Sequence, residues 1–361
     1  MSDMLNHISR TCNRQSHCLT GKGNQMKSGK ILLDHGSGGK LSNRMISDII
    51  LPAFHNPFLE QLNDGALLDI PKHRVAFSTD SYTVSPIFFP GGSIGDLAVN
   101  GTVNDIAMCG ASPLYLSAGF IIEEGFDTED LKTIINHMSK AAKAAHVQIV
   151  TGDTKVVPRG KADQIFINTS GIGIIPDGVT IGGDKAKPGD KIIISGTIAD
   201  HGMAILAARE SISFETPIKS DSAPLNRMVD SMLSASSNIH VLRDPTRGGL
   251  GTTLNEIASQ SKTGIKIVEE DIPVKNEVSG ICELLGFDPL YVANEGKLIA
   301  IVDPSDAEKV LYTIKTDDFG KDARIIGEVV DDIPGRVMME TVIGGTRVVD
   351  MLTGEQLPRI C

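Results

Sequence analysis

The sequence predicts an α+β protein of two domains. Three observations lead to this class. The chain has 361 residues, which is too many for one ordinary hydrophobic core. Strand and helix patterns follow one another without a strict strand–helix–strand rhythm, which disfavours a doubly wound parallel sheet. Residues 177–190 are rich in Gly, Pro and Asp, a composition typical of a linker between domains.

Residues 1–27 differ from the rest of the chain. They are polar and lack hydrophobic periodicity, which predicts a disordered leader. Cys12, His17 and Cys18 also suggest a metal site. No second ligand pair stands at zinc-finger spacing, so the leader is the favoured interpretation. Met26 is an alternative start of the chain.

The first predicted domain spans residues 28–176. Strands are expected at 74–80, 147–156 and 164–175, and the second of these runs into a polar turn. A helix rich in small residues is expected at 95–111. A second helix is expected at 127–146, where apolar residues recur at helical spacing: Leu131, Ile134, Ile135 and Met138.

The second predicted domain spans residues 191–352. Strands are expected at 191–196, 264–270, 297–303 and 323–330. Helices are expected at 200–210, 224–236, 249–261, 278–286 and 305–314. Residues 336–352 predict a hairpin that turns at Gly344–Gly345. Residues 353–361 predict a flexible tail that ends on Cys361.

Composition excludes several classes of protein. The formal net charge of -11 argues against wide contact with nucleic acid. No stretch is long and apolar enough to cross a membrane. Five cysteines, scattered through a long chain, do not form a disulfide framework. With no signal-peptide pattern at the start, the cytoplasm is the expected compartment.

A glycine-rich loop lies at the start of the first domain. It reads "DHGSGGK" and matches neither GxxxxGK[ST] nor GxGxxG. Its backbone N–H groups and lysine suit an anion. A mobile surface loop is an equally good interpretation. The candidate residues are His35, Gly36, Ser37, Gly38, Gly39 and Lys40.

Four acids in the first domain form a candidate Mg²⁺ and nucleotide site: Asp64, Asp80, Asp105 and Asp153. Mg²⁺ takes few carboxylates and leaves room for phosphate oxygens. Asp80 and Asp153 are expected to end strands and to meet at one sheet edge. Each acid alone is better explained as a turn or cap residue. The presence of Asn104 and Lys155 in the same domain strengthens the prediction that the four acids form one site.

The second domain adds further candidates. Arg247 stands beside two glycines in "DPTRGG", where it suits a phosphate or carboxylate. Glu295 stands in "ANEG" and is a candidate general base. A helix cap and a solvated turn are the alternatives for these two residues. Asp200 and His201 are interpreted as a helix N-cap. Cys109 and Cys282 are interpreted as inert core thiols.

Several segments together resemble one family, the HypE hydrogenase maturation factors. They are "HGSGGK", the run from "STDSY" to "CGASP", "VTGDTKVV", "DHGMAIL", "DPTRGG", "VANEGK" and the terminal "PRIC". The resemblance covers Ile31 to Cys361. "VNDIA" and "GDTK" also occur in aminoimidazole ribonucleotide synthetase, selenophosphate synthetase and thiamine-phosphate kinase. The terminal "PRIC" is specific to HypE.

The resemblance implies a fold and a function. The fold is PurM-like: an ATP-binding N-terminal domain that pairs with a second copy into a dimer β-barrel, and a C-terminal α/β sandwich. The function is ATP-dependent dehydration of an S-carboxamide on the terminal cysteine to a thiocyanate, which supplies cyanide for [NiFe]-hydrogenase. A HypF-type carbamoyltransferase loads the cysteine, and a HypC–HypD complex receives the cyano group.

The resemblance also implies residue roles. Cys361 carries the substrate group, Glu295 is the base, and Lys155 and Arg247 contact phosphate or carboxamide. ATP and Mg²⁺ are held by the four acids, with Asn104 and residues 35–40 nearby. A tail of nine residues, 353–361, spans about 30 Å when extended, enough to reach a cleft.

Three other functions compete with this one. Selenophosphate synthetase normally has a reactive Cys or selenocysteine just before its glycine loop, and "KILLDHGSGGK" has none. Thiamine-phosphate kinase leaves "PRIC" unexplained. A non-enzymatic carrier, which would only present a loaded tail to partners, leaves the acids unexplained.

Overall fold

The computed structural model describes residues 29–36, 40–61, 70, 72, 74–212, 218–352, 357 and 359–361. The α-helices are α1 Lys40–Met45, α2 Leu51–Phe54, α3 Ile94–Met108, α4 Thr128–Ala144, α5 Asp200–Arg209, α6 Asn226–Ala235, α7 Gly249–Ser261, α8 Asn276–Leu285 and α9 Ala307–Thr316. A π-helix, Ile46–Ile50, joins α1 to α2. Short 3-10 helices are Leu33–Gly36, Leu59–Gln61, Gly183–Lys185, Glu269–Asp271 and Pro289–Tyr291.

The strands are β1 Arg74–Tyr82, β2 Phe88–Phe89, β3 Gly92–Ser93, β4 Ser112–Glu123, β5 Gln148–Val157, β6 Ile165–Ile175, β7 Lys191–Ile194, β8 Ile239–Arg243, β9 Gly264–Val268, β10 Ile299–Val302, β11 Arg324–Val330, β12 Val337–Glu340 and β13 Thr346–Val349. They form a four-stranded sheet, a seven-stranded sheet and the short pair β2–β3. The four-stranded sheet lies within the predicted first domain and the seven-stranded sheet within the second. The domain boundaries themselves stay a prediction.

The first sheet has the order β1-β6-β4-β5, in which only the pair β4–β5 is parallel. One face packs on α3. The other face, which we call the open face, exposes apolar side chains: Val75, Phe77 and Ile121 are each more than 40% exposed. Because side chains alternate along a strand, Ser78 and Asp80 of β1 lie on the α3 face and Thr79 and Ser81 on the open face.

Helix α3 is buried almost all round, as its small residues predict. Its first turn is held by a capping box between Ser93 and Asp96. A Cβ atom on Gly95 would lie 2.4 Å from the carbonyl oxygen of Ile134 in α4, so the close approach of the two helices requires glycine there. The end of α3, at Ala107 and Met108, packs into the core of the second half of the chain.

The second sheet has the order β13-β12-β9-β11-β7-β10-β8, and its only parallel pair is β12–β9. Both faces are covered. Ile192 and Ile194 of β7 pack into one core together with α7. Ile193 faces the other core, which α6 and α9 complete. Alternate residues of one strand therefore belong to two different cores.

Most predicted elements are confirmed. The hairpin turn at Gly344–Gly345 is correct: the Thr341 N–H donates to the Gly345 carbonyl at 2.8 Å. The polar turn expected near Asp153 is wrong, since β5 continues to Val157. Strands β2, β3, β4 and β8 and helices α1 and α2 have no counterpart in the prediction from sequence. In the described part of the chain, no helix is long and apolar enough to span a membrane.

Candidate active site

The candidate site, which we call the crevice, is the region where the α3 face of the first sheet meets the second half of the chain. Asn104 of α3 joins the two sides. Its side chain is 1% exposed; it donates to the carbonyls of Ala223 (3.0 Å) and Glu295 (3.3 Å) and accepts from the Leu225 N–H (2.8 Å). Those contacts position the main chain of Glu295. The predicted role of Asn104 in nucleotide binding is untested.

The end of the tail docks in this crevice. The Thr83 N–H donates to a carboxylate oxygen of Cys361 at 3.3 Å, and the Ser85 N–H donates to the Arg359 carbonyl oxygen at 3.1 Å. Ile360 is 3% exposed and belongs to the core of the first sheet. The tail therefore lies against the chain segment that follows β1.

Cys361 places its thiol beside Glu295. Burial raises the pKa of the Cys361 thiol, and the nearby Glu295 carboxyl raises it further. Asp80 acts in the same direction, whereas the positive charge of Arg247 opposes it. The crevice therefore holds the sulfur as a neutral thiol. Three of the four predicted catalytic residues, Cys361, Glu295 and Arg247, lie together.

Glu295 is 4% exposed, so the solvated turn considered for it is wrong. Burial raises the pKa of its carboxyl well above the ordinary value, and nearby acids raise it further: Asp221, Asp244, Asp80 and Asp105. Its Oε1 atom is buried and has no hydrogen-bond partner within the protein. A carboxyl group of this kind holds a proton at rest and is a strong base once ionised.

The acids around Glu295 also affect one another. The Ser78 hydroxyl donates to Asp105 at 2.7 Å, yet burial and Asp80 raise the pKa of Asp105. Burial and Asp105 raise the pKa of Asp244 to about 7. This mutual repulsion is relieved when a divalent cation binds between carboxylates.

The described residues fit Mg²⁺ only in part. Asp80 and Asp105 offer hard oxygen ligands, and Mg²⁺ often takes just one or two carboxylates together with phosphate oxygens. Within the residues that the structure describes, no three His, Cys, Asp or Glu side chains are grouped so as to hold a metal alone. The arrangement suits a cation shared with a nucleotide, not a cage built by protein alone. Asp64 lies outside the described residues.

Asp153 and Lys155 lie elsewhere in the chain. Both are exposed on β5, which forms the sheet edge opposite β1. Three strand spacings, about 14 Å, separate the two edges. The pairing of Asp153 with Gly119 places Asp153 on the open face, whereas Asp80 is on the α3 face. The expected meeting of Asp80 and Asp153 at one sheet edge is therefore wrong within a single chain.

The glycine loop is described only at its ends. His35 is 5% exposed, and its Nδ1 atom accepts from the Leu32 N–H at 3.0 Å, within its own 3-10 turn. Gly36 ends that turn and Lys40 begins α1. Residues 37–39, the predicted Ser37, Gly38 and Gly39, lie outside the described residues. A role of the loop in anion binding stays a prediction.

Comparison with known proteins decides the family. The family models "AIR synthase related protein, N-terminal domain" and "C-terminal domain" match residues 62–175 and 187–340. A relative from Azotobacter vinelandii, named carbamoyl dehydratase HypE, is 53% identical over 93% of this chain and 98% of its own. The chain belongs to the HypE family.

Two solved HypE structures resemble the fold closely. The structure titled "Hydrogenase Maturation Protein HypE in complex with ATP" has a TM-score of 0.89 and 54% identity, and the match covers 91% of this chain and 99% of that one. A HypE–HypF complex has a TM-score of 0.75 and 51% identity, and the match covers 86% and 99%. The predicted two-part, PurM-like α+β fold is confirmed for this HypE-family chain.

Sequence reasoning missed several residues of this HypE-family crevice. Asp200 does not cap α5: it accepts from Thr197 (2.7 Å) and Lys275 (2.8 Å). His201 does not cap α5 either; its side chain contacts the tail at Ile360. Asp221 forms a buried ion pair with Lys297 at 3.2 Å and accepts from the Glu295 N–H at 3.2 Å. "DPTRGG" contains Asp244 as well as Arg247, so this motif could have indicated Asp244. No local motif marks Asp221.

The two other described cysteines differ from each other. Cys282 is buried, as predicted, and burial raises its pKa to about 11. Cys109 is exposed at the end of α3, so its assignment as a core thiol is wrong. Cys109 follows the last residue of α3, Met108, which is itself buried. In a HypE-family chain these two thiols are useful references for the reactivity of Cys361.

Proposed function

We propose that this chain is an ATP-dependent carbamoyl dehydratase that acts on its own C-terminal cysteine. It converts an S-carboxamide on Cys361 to a thiocyanate, which supplies cyanide ligands for the iron of [NiFe]-hydrogenase. The observation that carries this proposal is the position of the thiol. The tail places Cys361 inside the crevice, against a buried Glu295 and near Arg247. Dehydratase relatives and an ATP-bound HypE structure support the same reaction.

In the first step the carboxamide oxygen attacks the γ-phosphorus of ATP. The bond from that phosphorus to the ADP oxygen breaks, and ADP leaves. One nitrogen proton is lost, which gives an S-linked iminophosphate, Cys361–S–C(=NH)–OPO₃²⁻. This step converts the amide oxygen, a poor leaving group, into part of a good one.

In the second step the imino nitrogen loses its remaining proton as the carbon–oxygen bond breaks. Phosphate leaves with the electron pair of that bond, and the carbon–nitrogen triple bond forms. The overall balance is carboxamide plus ATP to thiocyanate plus ADP, hydrogen phosphate and one proton. Glu295 is the base because its carboxyl lies against the sulfur and its raised pKa makes its ionised form strongly basic.

Cations position the transferring phosphoryl group. Arg247 is exposed at the start of α7, next to the positive-φ residues Gly248 and Gly249, and is free to turn toward a phosphate. Asp80 and Asp105, together with Asp64, would hold Mg²⁺, which when bound neutralises phosphate charge. Lys155 and Asp153 join the site from a second copy of the chain.

The proposed partners follow from the reaction. A HypF-type carbamoyltransferase loads Cys361, a role supported by the solved HypE–HypF complex. A HypC–HypD complex accepts the cyano group, and we place the reaction in the cytoplasm. Two copies pair the open faces of their first sheets into a β-barrel. The exposed Val75, Phe77 and Ile121 support this pairing, because a monomer gains nothing from exposing them.

ATP consumption tests the enzyme against the carrier. Cyanate converts a thiol to an S-carboxamide, so Cys361 can be loaded without a partner protein. We expect one ADP formed for each loaded tail. Cys361→Ala should form none, and Cys109→Ala, the matched control at an exposed thiol, should behave as the parent. Loading that triggers no ADP formation would favour the carrier.

A further inference from the structure

We propose that Lys187 is a nucleophilic lysine and a site of acylation, activated by His240 and Asp190. We call these three side chains the lysine triad. The class of its co-reactant is a small acyl phosphate. His240 is the base, and Asp190 is a positioning residue that acts through His240. The triad shares no residue with the crevice, so this inference does not rest on the proposed function.

A tight turn, "KPGD", brings Lys187 and Asp190 together just before β7. The Asp190 N–H donates to the Lys187 carbonyl at 3.1 Å, which closes the turn. Pro188 and Gly189 suit the two central positions of a type II turn, and the glycine has the positive φ, +96°, that the second position requires. The turn folds the Asp190 side chain back, so that its Oδ2 atom accepts from the Lys187 N–H at 2.8 Å.

His240 reaches the same carboxylate from β8. Strand β10 lies between β7 and β8 and is antiparallel to both, so β7 and β8 begin at the same end of the sheet. The His240 Nδ1 atom lies 2.8 Å from the Asp190 Oδ2 atom. Asp190 is 2% exposed, whereas Lys187 is exposed. A buried carboxylate therefore orients a ring that faces an amine at the surface.

The contacts of His240 determine which ring nitrogen carries the proton. A carboxylate can only accept, so Nδ1 carries the proton and donates to Asp190. The Lys187 Nζ atom lies 3.3 Å from Nε2 and can only donate, so Nε2 presents its lone pair to the lysine. The order along the triad is nucleophile, base and orienting acid, which is the arrangement that activates nucleophiles in enzymes.

The neighbouring lysine has a different partner. Lys185 donates to the Asp184 carboxylate at 2.8 Å. A carboxylate stabilises the ammonium form of a lysine, which has no lone pair, whereas a neutral imidazole is able to take the proton. Asp303 also lies near Lys187, but its Oδ1 atom accepts from the N–H and the hydroxyl of Ser305. The imidazole is therefore the group that faces the Lys187 amine.

Acylation transfers the acyl group from phosphate to nitrogen. The His240 Nε2 atom takes a proton from the Lys187 ammonium, and the resulting amine attacks the carbonyl carbon of the acyl phosphate. The bond from that carbon to the phosphate oxygen breaks, and phosphate leaves with the electron pair. The nitrogen loses a second proton as the amide forms. The overall balance is ammonium plus acyl phosphate to amide, hydrogen phosphate and one proton.

Competition between two lysines of the full-length protein tests the triad without ATP. The protein is treated briefly with acetyl phosphate, and acetylation of each lysine is measured by peptide mass spectrometry. Lys187 should react about tenfold faster than Lys185. General bases usually contribute about 10²–10⁴-fold, and the effect is smaller here because an exposed turn does not orient the acyl donor. Equal rates at the two lysines would overturn the proposal.

Two variants test the base and its orienting acid. His240→Gln can still accept from Lys187 but cannot take its proton, so the rate at Lys187 should fall to that at Lys185. Asp190→Asn keeps an oxygen for both hydrogen bonds but lacks the charge that stabilises the imidazolium, so the Lys187 rate should fall here too. His55→Gln, at an exposed histidine outside the triad, is the control and should leave the ratio of the two rates unchanged. A parent-like ratio in either triad variant would also overturn the proposal.

Discussion

Glu295 is a residue of the crevice whose carboxyl lies in an unfavourable electrostatic environment. Folding buries its carboxyl among four other acids, and each raises its pKa. Such an arrangement lowers stability whenever the group ionises, so it requires a compensating use. In the proposed reaction that use is proton removal from the carboxamide nitrogen, for which a base stronger than an ordinary glutamate is needed.

Glu295→Gln should therefore abolish chemistry and spare the fold. We expect thiocyanate formation to fall by about 10²–10⁴-fold, the usual contribution of a general base, while ATP still binds.

The free energy of unfolding of the parent protein should change with pH. The raised pKa means that the folded chain binds more protons than the unfolded chain once the pH exceeds the ordinary value of 4.5. The free energy of unfolding of the parent therefore falls as the pH rises above this value. Glu295→Gln removes the titrating group and with it this fall in stability.

Urea unfolding without nucleotide or metal, at about pH 5 and about pH 8, measures the effect. The variant should gain stability relative to the parent at the higher pH. Glu308→Gln, an exposed position on α9, is the control and should show no such trend. Normal thiocyanate formation in Glu295→Gln would remove this residue from the mechanism.

Residues in distinctive short motifs were the ones that the sequence could indicate. Cys361, Glu295 and Arg247 each stand in such a motif, and the fold brings them together. Asp221 stands in no such motif, and "DHGMAIL" does not show what His201 contacts, because the partners of these two residues lie far away in the chain: Lys297 and Ile360. A hydrogen bond to a distant main-chain carbonyl leaves no local pattern.

At the scale of elements, periodic helices were the easiest to predict. The apolar spacing of α4 gave its position within two residues at either end. Strand β4, "SPLYLSAGFIIE", was missed because its proline, serines and glycine obscure the apolar alternation. It is nevertheless a central strand, paired on both sides. Tertiary burial, not local preference, makes it a strand.

In the described part of the chain, β1 and β5 are the edge strands of the first sheet, and they lead to a prediction about a shared site. We predict that β1 of one copy pairs with β5 of another, which brings the strand that carries Asp153 and Lys155 alongside the strand that carries Asp80. Asp80→Ala and Asp153→Ala should each be inactive alone. An equal mixture of the two variants, dissociated and reassembled, should recover about a quarter of the parent activity. About half of the dimers then contain one copy of each variant, and each of these dimers has one intact site out of two.

Thiocyanate formed per loaded tail measures this recovery. If each chain supplied both acids to its own site, every chain in the mixture would carry a lesion and no activity would return. That outcome would contradict the shared site. A mixture of Asp80→Ala with itself, treated in the same way, is the control for the reassembly step.

At the scale of the whole molecule, the tail links the two halves of the chain. It leaves the second sheet after β13 and ends beside the segment that follows β1, with Ile360 in the core of the first sheet. The sequence could predict that nine residues reach a cleft. It could not predict the docking position, because that depends on Arg209 and His201, which lie on a helix of the other half.

The central claim is that the crevice transfers the oxygen of its own tail's carboxamide to phosphate. Loading Cys361 with ¹⁸O-labelled cyanate and adding Mg·ATP tests it directly, with mass spectrometry of both the C-terminal peptide and the released phosphate. We predict that the peptide loses one water, as thiocyanate, and that the label appears in inorganic phosphate. Unlabelled phosphate, with the labelled carboxamide still on Cys361, would contradict the account.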